Sequence, residues 1–248
     1  MKALVTGASS GIGRDIAKEL SKRGYDLILV ARNVERLEEV KKQIQTKAEI
    51  VSMDISKEEN CEKLFQDYKD IDILVNNAGF GDCGHFEETS LDKDLQMIKT
   101  NIIAYHILTK LYLKEMIKNN SGKILNVASI AGFMPGPLMA TYYSTKAYIV
   151  RLSEAIRTEL KKQKSKVKIS ILCPGPVNTN FNKVADVEFA IKGLSSEYVA
   201  KYTVKKFLKG KFYIIPGLSI KFAKIGVKIA PTNLVSKVSY KMQRRKLK

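Results

Sequence analysis

Tryptophan is absent from this chain, and only two histidines and three cysteines occur among its 248 residues. Cys61, Cys83 and Cys173 are scattered and odd in number, which excludes a disulfide framework and any zinc-type spacing. They read as reduced thiols of a cytosolic protein. His85 and His106 form no cluster, so no metal site is expected. No apolar run approaches the roughly 20 residues of a spanning helix. The opening MKALVTGASSG has too short an apolar stretch for a signal peptide. Acidic residues also run out: none follows Glu197. From residue 181 onward 16 Lys+Arg stand against 3 Asp+Glu, whereas the first 180 residues hold 27 against 22. The net charge of +18 therefore belongs mainly to the C-terminal quarter. That quarter has no recognised nucleic-acid motif, so no nucleic-acid partner is expected.

What is present is the pattern of one α/β domain. Hydrophobic content of 45% and charged content of 27% suit a globular chain of this length. Short apolar runs at 2–6, 25–31, 49–53, 71–75, 123–129, 167–173 and 211–215 read as strands. A charged amphipathic stretch at 34–45, stretches at 57–68, 91–117 and 196–208, and one starting near Thr141 as N-cap, read as helices. This alternation predicts a Rossmann-type, doubly wound, seven-stranded parallel sheet. The expected organisation is one domain over 1–217 and a basic amphipathic helical extension over 218–248, broken at Pro231. Residues 181–195 lack periodicity and read as a substrate lid. The helix at 91–117 is apolar around its circumference from Ile102 to Leu113, which implies burial against both the sheet and a partner subunit.

Ligands of such sheets sit off the carboxyl ends of the strands. The first strand runs into Gly7-Ala8-Ser9-Ser10-Gly11-Ile12-Gly13, and a helical pattern through Ile16, Ala17 and Leu20 follows, ending at Gly24. Strand, glycine turn and helix place N–H groups where a pyrophosphate can sit. The Gly-x-x-x-Gly-x-Gly spacing differs from Gly-x-Gly-x-x-Gly, and the alternative is an ordinary glycine-rich turn. The second strand ends Val30-Ala31-Arg32-Asn33, without the acid that holds a ribose 2′-OH. Arg32 can bind a 2′-phosphate bidentately, and Arg14 adds a second charge, which points to NADP(H). The competing reading is two solvated arginines. Asp54-Ile55 closes the third strand, and Pro174-Gly175-Pro176-Val177-Asn178-Thr179 closes the sixth. The fourth strand ends Asn76-Asn77-Ala78-Gly79, a set suited to ribose contacts or simply to a turn.

The stretch NVASIAGFMPGPLMATYYSTK, residues 126–146, carries the chemistry. Tyr142 and Lys146 are one helical turn apart on one face. Ser129 ends a strand and can meet that turn. A phenol with an ordinary pKa of about 10 is a usable acid, and a nearby ammonium favours its phenolate. A serine hydroxyl can hold a carbonyl oxygen or the alkoxide forming from it. The trio suits proton transfer coupled to reduction of a C=O group. Tyr-x-x-x-Lys recurs at Tyr202 and Lys206, so the motif alone is weak. Asn101 lies early in the 91–117 helix, where an amide usually bonds backbone or water.

Together these residues resemble the short-chain dehydrogenase/reductase family over about residues 1–180. Thr6-Gly7-x-x-x-Gly11-Ile12-Gly13 is similar to its cofactor loop. Asn76-Asn77-Ala78-Gly79 is similar to its strand-four motif. Asn101, Ser129, Tyr142 and Lys146 match its catalytic tetrad, and Pro174-Gly175 through Thr179 its nicotinamide-side loop. The resemblance implies Tyr142 as general acid or base. Lys146 would lower its pKa and bind the nicotinamide ribose, Ser129 would orient the carbonyl, and Asn101 would hold a relay water. By the same resemblance Arg32 follows the NADP-preferring pattern, Asp54-Ile55 contacts adenine, and the helices at 91–117 and 141–163 pair copies into a homodimer or homotetramer. The expected cofactor contacts are thus Gly7, Ser9, Ser10, Gly11, Ile12, Gly13, Arg14, Arg32, Asn33, Asp54, Ile55, Asn77, Ala78, Gly79, Tyr142, Lys146, Pro174, Gly175, Val177 and Thr179.

The expected reaction is hydride exchange between NADPH and a carbonyl or secondary alcohol of an apolar small molecule. Loops 80–89, 131–140 and 181–195, with Phe80, Phe86, Phe133, Met134 and Leu138, are the expected substrate walls. The chain departs from carrier-protein reductases in ending Ile215-Pro216-Gly217 plus a basic tail, where they have an Asp-Gly-Gly-like finish. That tail reads either as a peripheral contact with anionic membrane on a cytoplasmic protein or as a solvated helix covering a subunit. A non-catalytic NADP(H)-binding or membrane-surface scaffold of the same fold is the alternative function.

Overall fold

Strands buried on both faces need cover from both sides, and the alternating helices supply it. The computed structural model describes residues 1–179 and 193–244. β1 (Lys2–Thr6), β2 (Asp26–Ala31), β3 (Ala48–Ser52), β4 (Ile73–Asn76), β5 (Lys123–Val127) and β6 (Lys168–Leu172) lie in one parallel sheet. β7 (Val177–Asn178) and β8 (Leu194–Ser195) pair with each other outside it. β9 (Tyr213–Ile214) joins the sheet beside β6, completing the order 3-2-1-4-5-6-9. Val5 of β1 stands opposite Leu29 on one side and Val75 on the other. Strand order therefore reverses between β1 and β4, and a ligand cleft opens there.

α1 (Gly11–Ser21), α2 (Val34–Lys41) and α7 (Ser196–Leu208) cover one face, burying Ile16, Leu20, Leu37, Val204 and Phe207. α3 (Glu58–Asp67), α5 (Ala104–Lys118) and α6 (Ala140–Lys162) cover the other with Leu64, Tyr105, Leu108, Tyr112 and Ile149. α4 (Leu91–Ile98) precedes α5, and the two are not one regular helix. A π-helical segment, Lys99–Ile103, joins them at Asn101. Such segments interrupt helices where a side chain must be re-aimed. In the single chain α5 buries Tyr105, Leu108, Tyr112 and Met116, while Ile107 and Leu111 on its other side, for which the sequence implies a partner subunit, stay half-buried.

Two helix ends differ from the sequence reading for local reasons. α2 stops at Lys41, where the chain tightens into i to i−3 bonds, Gln43 N–H to Val40 and Ile44 N–H to Lys41. Ser21 Oγ then takes the Gln45 N–H at 2.8 Å and ends the run. α6 begins at Ala140, after Leu138 with φ 64 and Met139 with φ −142 and ψ 37 as the N-cap, so Thr141 lies inside the helix and is not its cap.

The basic extension is helical, as expected, with Pro231 dividing α8 (Leu218–Ile229) from α9 (Thr232–Arg244). It folds back over the carboxyl ends of the strands. A Cβ at Gly175 would lie 2.5 Å from Ile220 Cδ1. Lys224 Nζ stands 3.1 Å from the Tyr213 ring centroid. The Gln243 side-chain amide donates to the Tyr143 hydroxyl. Of the expected lid, residues 181–192 lie outside the described residues.

Candidate active site

A cavity of about 1250 Å³ runs along the carboxyl ends of the sheet from the β1–β4 switch to α8 and α9. It exceeds the roughly 300–1,000 Å³ of a site for one small ligand. That volume suits two molecules side by side.

At the β1 end the fit to a dinucleotide phosphate is built from backbone. Ser10, the N-cap of α1, makes no side-chain cap hydrogen bond, and the first turn carries no acid. The free N–H groups and the helix dipole therefore remain available to an anion. Gly7 has φ 64, and a Cβ there would meet Ala78 Cα at 2.8 Å. Asn77 ties the two turns together, donating from Nδ2 to the carbonyls of Thr6 (3.0 Å) and Gly7 (3.2 Å). Gly7, Ser9, Ser10, Gly11 and Ile12 line the cavity, as do Arg32, Asn33, Asp54, Ile55, Asn77, Ala78 and Gly79. So do Pro174, Gly175, Val177 and Thr179. Gly13 does not: it is the packing point of α1 against Asn77. Arg14 does not either. Its guanidinium is held by Asp15 at 2.7 Å, with Glu197 at 3.9 Å, which removes it as the expected second charge in the cleft. Asn33 Oδ1 is occupied in capping α2, accepting the Arg36 N–H at 2.7 Å.

The three groups expected to converge do so at the middle of the cavity. Ser129, at the end of β5, accepts the Ala131 N–H through Oγ at 3.2 Å and hydrogen-bonds the Tyr142 phenol. Lys146 is 4% exposed; its Nζ donates to the Val127 carbonyl at 3.1 Å and lies 5.8 Å from the Tyr142 ring centroid. Burial pushes the Lys146 ammonium down to about 8. Burial also raises the Tyr142 phenol above its ordinary value, outweighing the Ser129 hydrogen bond that lowers it. For the protein alone burial therefore sets the direction for the phenol, opposite to the lowering expected from Lys146. A raised pKa keeps Tyr142 protonated at neutral pH, the state of an acid.

Asn101 is fully buried and does not line the cavity. Its Oδ1 accepts the Phe80 N–H at 3.2 Å, and its Nδ2 donates to the Phe80 carbonyl at 2.9 Å and to Thr145 Oγ1 at 3.1 Å. The side chain fixes the loop after β4 against α6 and is not aimed at a ligand. Gly79 permits this, since a Cβ there would be 2.8 Å from Asn101 Oδ1. The second Tyr-x-x-x-Lys pair, Tyr202 and Lys206, lies on α7 away from the cavity. Of the expected substrate walls, Phe80 and Met134 line the cavity; Phe86 is exposed, Phe133 packs on Tyr213, and Leu138 is buried.

The model of the short chain dehydrogenase family matches residues 1–188 of this sequence. The chain belongs to the short-chain dehydrogenase/reductase family. It is 36% identical over 188 residues to an uncharacterized oxidoreductase of Staphylococcus epidermidis, covering 74% of this chain and 81% of that protein. A short-chain dehydrogenase from Sphingobium yanoikuyae in complex with NADPH superposes with TM-score 0.81 and 25% identity, over 92% of this chain and 94% of that one. A short-chain dehydrogenase/reductase from Burkholderia phymatum in complex with NAD has the same fold, with TM-score 0.82 and 23% identity over 93% and 96%. This short-chain dehydrogenase/reductase is thus an oxidoreductase of a family whose members bind nicotinamide dinucleotides.

Sequence reasoning missed several residues of the dehydrogenase cavity. Arg36 lines it beside Arg32, and its place three residues after the α2 N-cap was a readable signal. Tyr143, next to the expected acid, lines it as well, as do Ile220, Val227, Val238 and Gln243 of the extension. Nothing in the extension's composition says that it turns back. Among the described residues there is no group of three or more metal-ligating side chains and no helix long and apolar enough to cross a membrane.

Proposed function

We propose that this short-chain dehydrogenase/reductase is an NADPH-dependent carbonyl reductase for an apolar small molecule. The observation that carries the reading is the Ser129–Tyr142 hydrogen bond on the cavity wall with the buried Lys146 behind it. NADPH, when bound, supplies the hydride. Ser129 donates to the carbonyl oxygen, and Tyr142 gives the proton that the developing alkoxide takes up. The uncapped start of α1 and the close-set glycine turns fit the pyrophosphate. Arg32 and Arg36, with no carboxylate at the end of β2, support a 2′-phosphate and hence NADPH over NADH. Met134, Met139 and Val238 give the substrate end apolar walls. The half-buried outer face of α5, where His106 Nδ1 meets Tyr148 Oη of α6 at 2.7 Å, is assigned to pairing with a second copy.

The test is Tyr142→Phe. NADPH oxidation against a carbonyl panel should fall by about 10²–10⁴-fold, while the thermal shift given by NADPH persists and exceeds that given by NADH. Retained turnover would remove Tyr142 from its role. An equal shift from NADH would remove the cofactor preference. Wild-type protein inert across the panel would leave the non-catalytic reading in its place.

A further inference from the structure

α8 buries none of its residues. Leu218, Phe222, Ile225 and Ile229 recur at steps of four, three and four, so they form one stripe. They are 70%, 70%, 55% and 78% exposed. Lys221 and Lys228 stand exposed along one flank of that stripe. Another side of the same helix, through Ile220, Ala223 and Val227, lines the cavity. On α9, Leu234, Val238 and Met242 both line the cavity and stay about half exposed, which makes an apolar mouth beside α8.

An apolar stripe of this size in water needs an occupant. Two candidates differ in charge. A second copy meeting this face about a two-fold axis would bring Lys221 and Lys228 of both chains together, with no acid after Glu197 to offset them. An anionic lipid surface takes the stripe into its headgroup–acyl boundary and leaves the ammonium groups among the headgroups. We propose that α8 lies on an anionic membrane and that the cavity takes a membrane-dissolved ketone or aldehyde through the mouth formed by α8 and α9. The route of the substrate rests on the carbonyl-reductase reading; the lipid contact rests on the surface alone.

The test uses the full chain and Phe222→Ser/Ile225→Ser, two positions outside the cavity wall. In flotation with phosphatidylcholine vesicles with and without phosphatidylserine, wild type should rise with the anionic vesicles, and the double variant should bind them more than about tenfold less. With NADPH, the variant should lose a similar factor in kcat/KM for a long-chain ketone carried in those vesicles. It should keep its rate on a short water-soluble ketone and its NADPH thermal shift. Equal flotation of the two proteins would overturn the lipid contact, and it needs no turnover to be read. An unchanged ratio of long-chain to short ketone rates would overturn the route. A wild type that self-associates without lipid, and a variant that does not, would give the stripe to a second copy and overturn the proposal.

Discussion

The two ends of the one cavity are built by different physics. At the β1 end, backbone approaches backbone. A Cβ at Gly13 would sit 2.3 Å from Asn77 Nδ2 and 2.4 Å from the Gly7 carbonyl oxygen. Asn77 in turn takes part in hydrogen bonds with Thr6 through both its backbone N–H and its side chain. At the α8–α9 end, side chains do the work. α8 has no buried residue, and the helices are held by Lys224 over the Tyr213 ring, by Gln243 on Tyr143 and by apolar contact. Directional contacts allow few sequences and define one ligand shape. Apolar cover allows many sequences and defines only a chemical class. On the proposed function, cofactor recognition at the β1 end is rigid and substrate recognition at the α8–α9 end is exchangeable.

The strongest way to break that contrast is Gly13→Ala. The new methyl cannot move the Gly7 carbonyl cheaply, and it displaces the amide that joins β1 to β4. Overpacking together with the lost hydrogen bonds of the half-buried Asn77 amide should cost about 4 kcal/mol. At about 2–4 °C per kcal/mol for a chain of this size, the melting temperature should fall by about 8–16 °C, and the NADPH-induced shift should disappear. A variant that melts and binds NADPH like wild type would show that the β1 end is as tolerant as the other.

Lys146 sits between the two ends and sharpens the comparison by pH. Its pKa drops from the ordinary 10.5 to about 8 through burial, so the charged form is held in place against its preference. That corresponds to about 3 kcal/mol of lost stability below pH 8. Between about pH 8 and 10.5 the unfolded chain binds the extra proton, so wild-type stability gains from this group as pH rises. Lys146→Met should be the more stable protein below pH 8 by up to about 3 kcal/mol, with lower turnover, and its advantage should fade towards pH 10.5. The Val127 carbonyl keeps a partner in Tyr105 Oη at 3.2 Å, so the loss of the lysine leaves no new orphan. Denaturant melts of both proteins across that range measure the gap; a gap independent of pH would mean that the ammonium is not strained.

The same contrast explains what could be read from the chain beforehand. The sheet was legible because strands buried on both faces leave continuous apolar runs, and the β1 turn because glycine alone permits the close approach at Gly7. Ser129, Tyr142 and Lys146 were legible because a strand end and one helical turn dictate where they point. Arg14 was misplaced because its neighbour Asp15 captures it, a pairing of adjacent residues that spacing rules do not see. Asn101 was read as an amide that bonds backbone or water, and it does bond the Phe80 backbone; the π-helical segment that turns it there and towards Thr145 is invisible to a 3.6-residue period. The return of α8 and α9 over the cavity depends on which apolar stripe finds which surface, and amphipathic composition does not encode that choice.

The smallest effects should come from the hydrogen bond that holds α9, and their asymmetry is informative. Gln243 is 2% exposed, and its Oε1 has no partner among the described residues. Tyr143→Phe would leave both ends of this amide unsatisfied in a buried place, at a cost of about 1–3 kcal/mol. Gln243→Leu removes the donor and the orphan together and frees a hydroxyl that has Ser239 beside it, so its net cost should stay within about 1 kcal/mol. Both changes loosen α9 alike and should raise KM for a bulky apolar ketone several-fold, roughly as one lost neutral hydrogen bond allows. KM for NADPH should not move. Urea melts and two-substrate kinetics on the pair separate the terms. If Gln243→Leu is as destabilising as Tyr143→Phe, the bond is directional architecture like that around Asn77, and the two ends of the cavity are built alike after all.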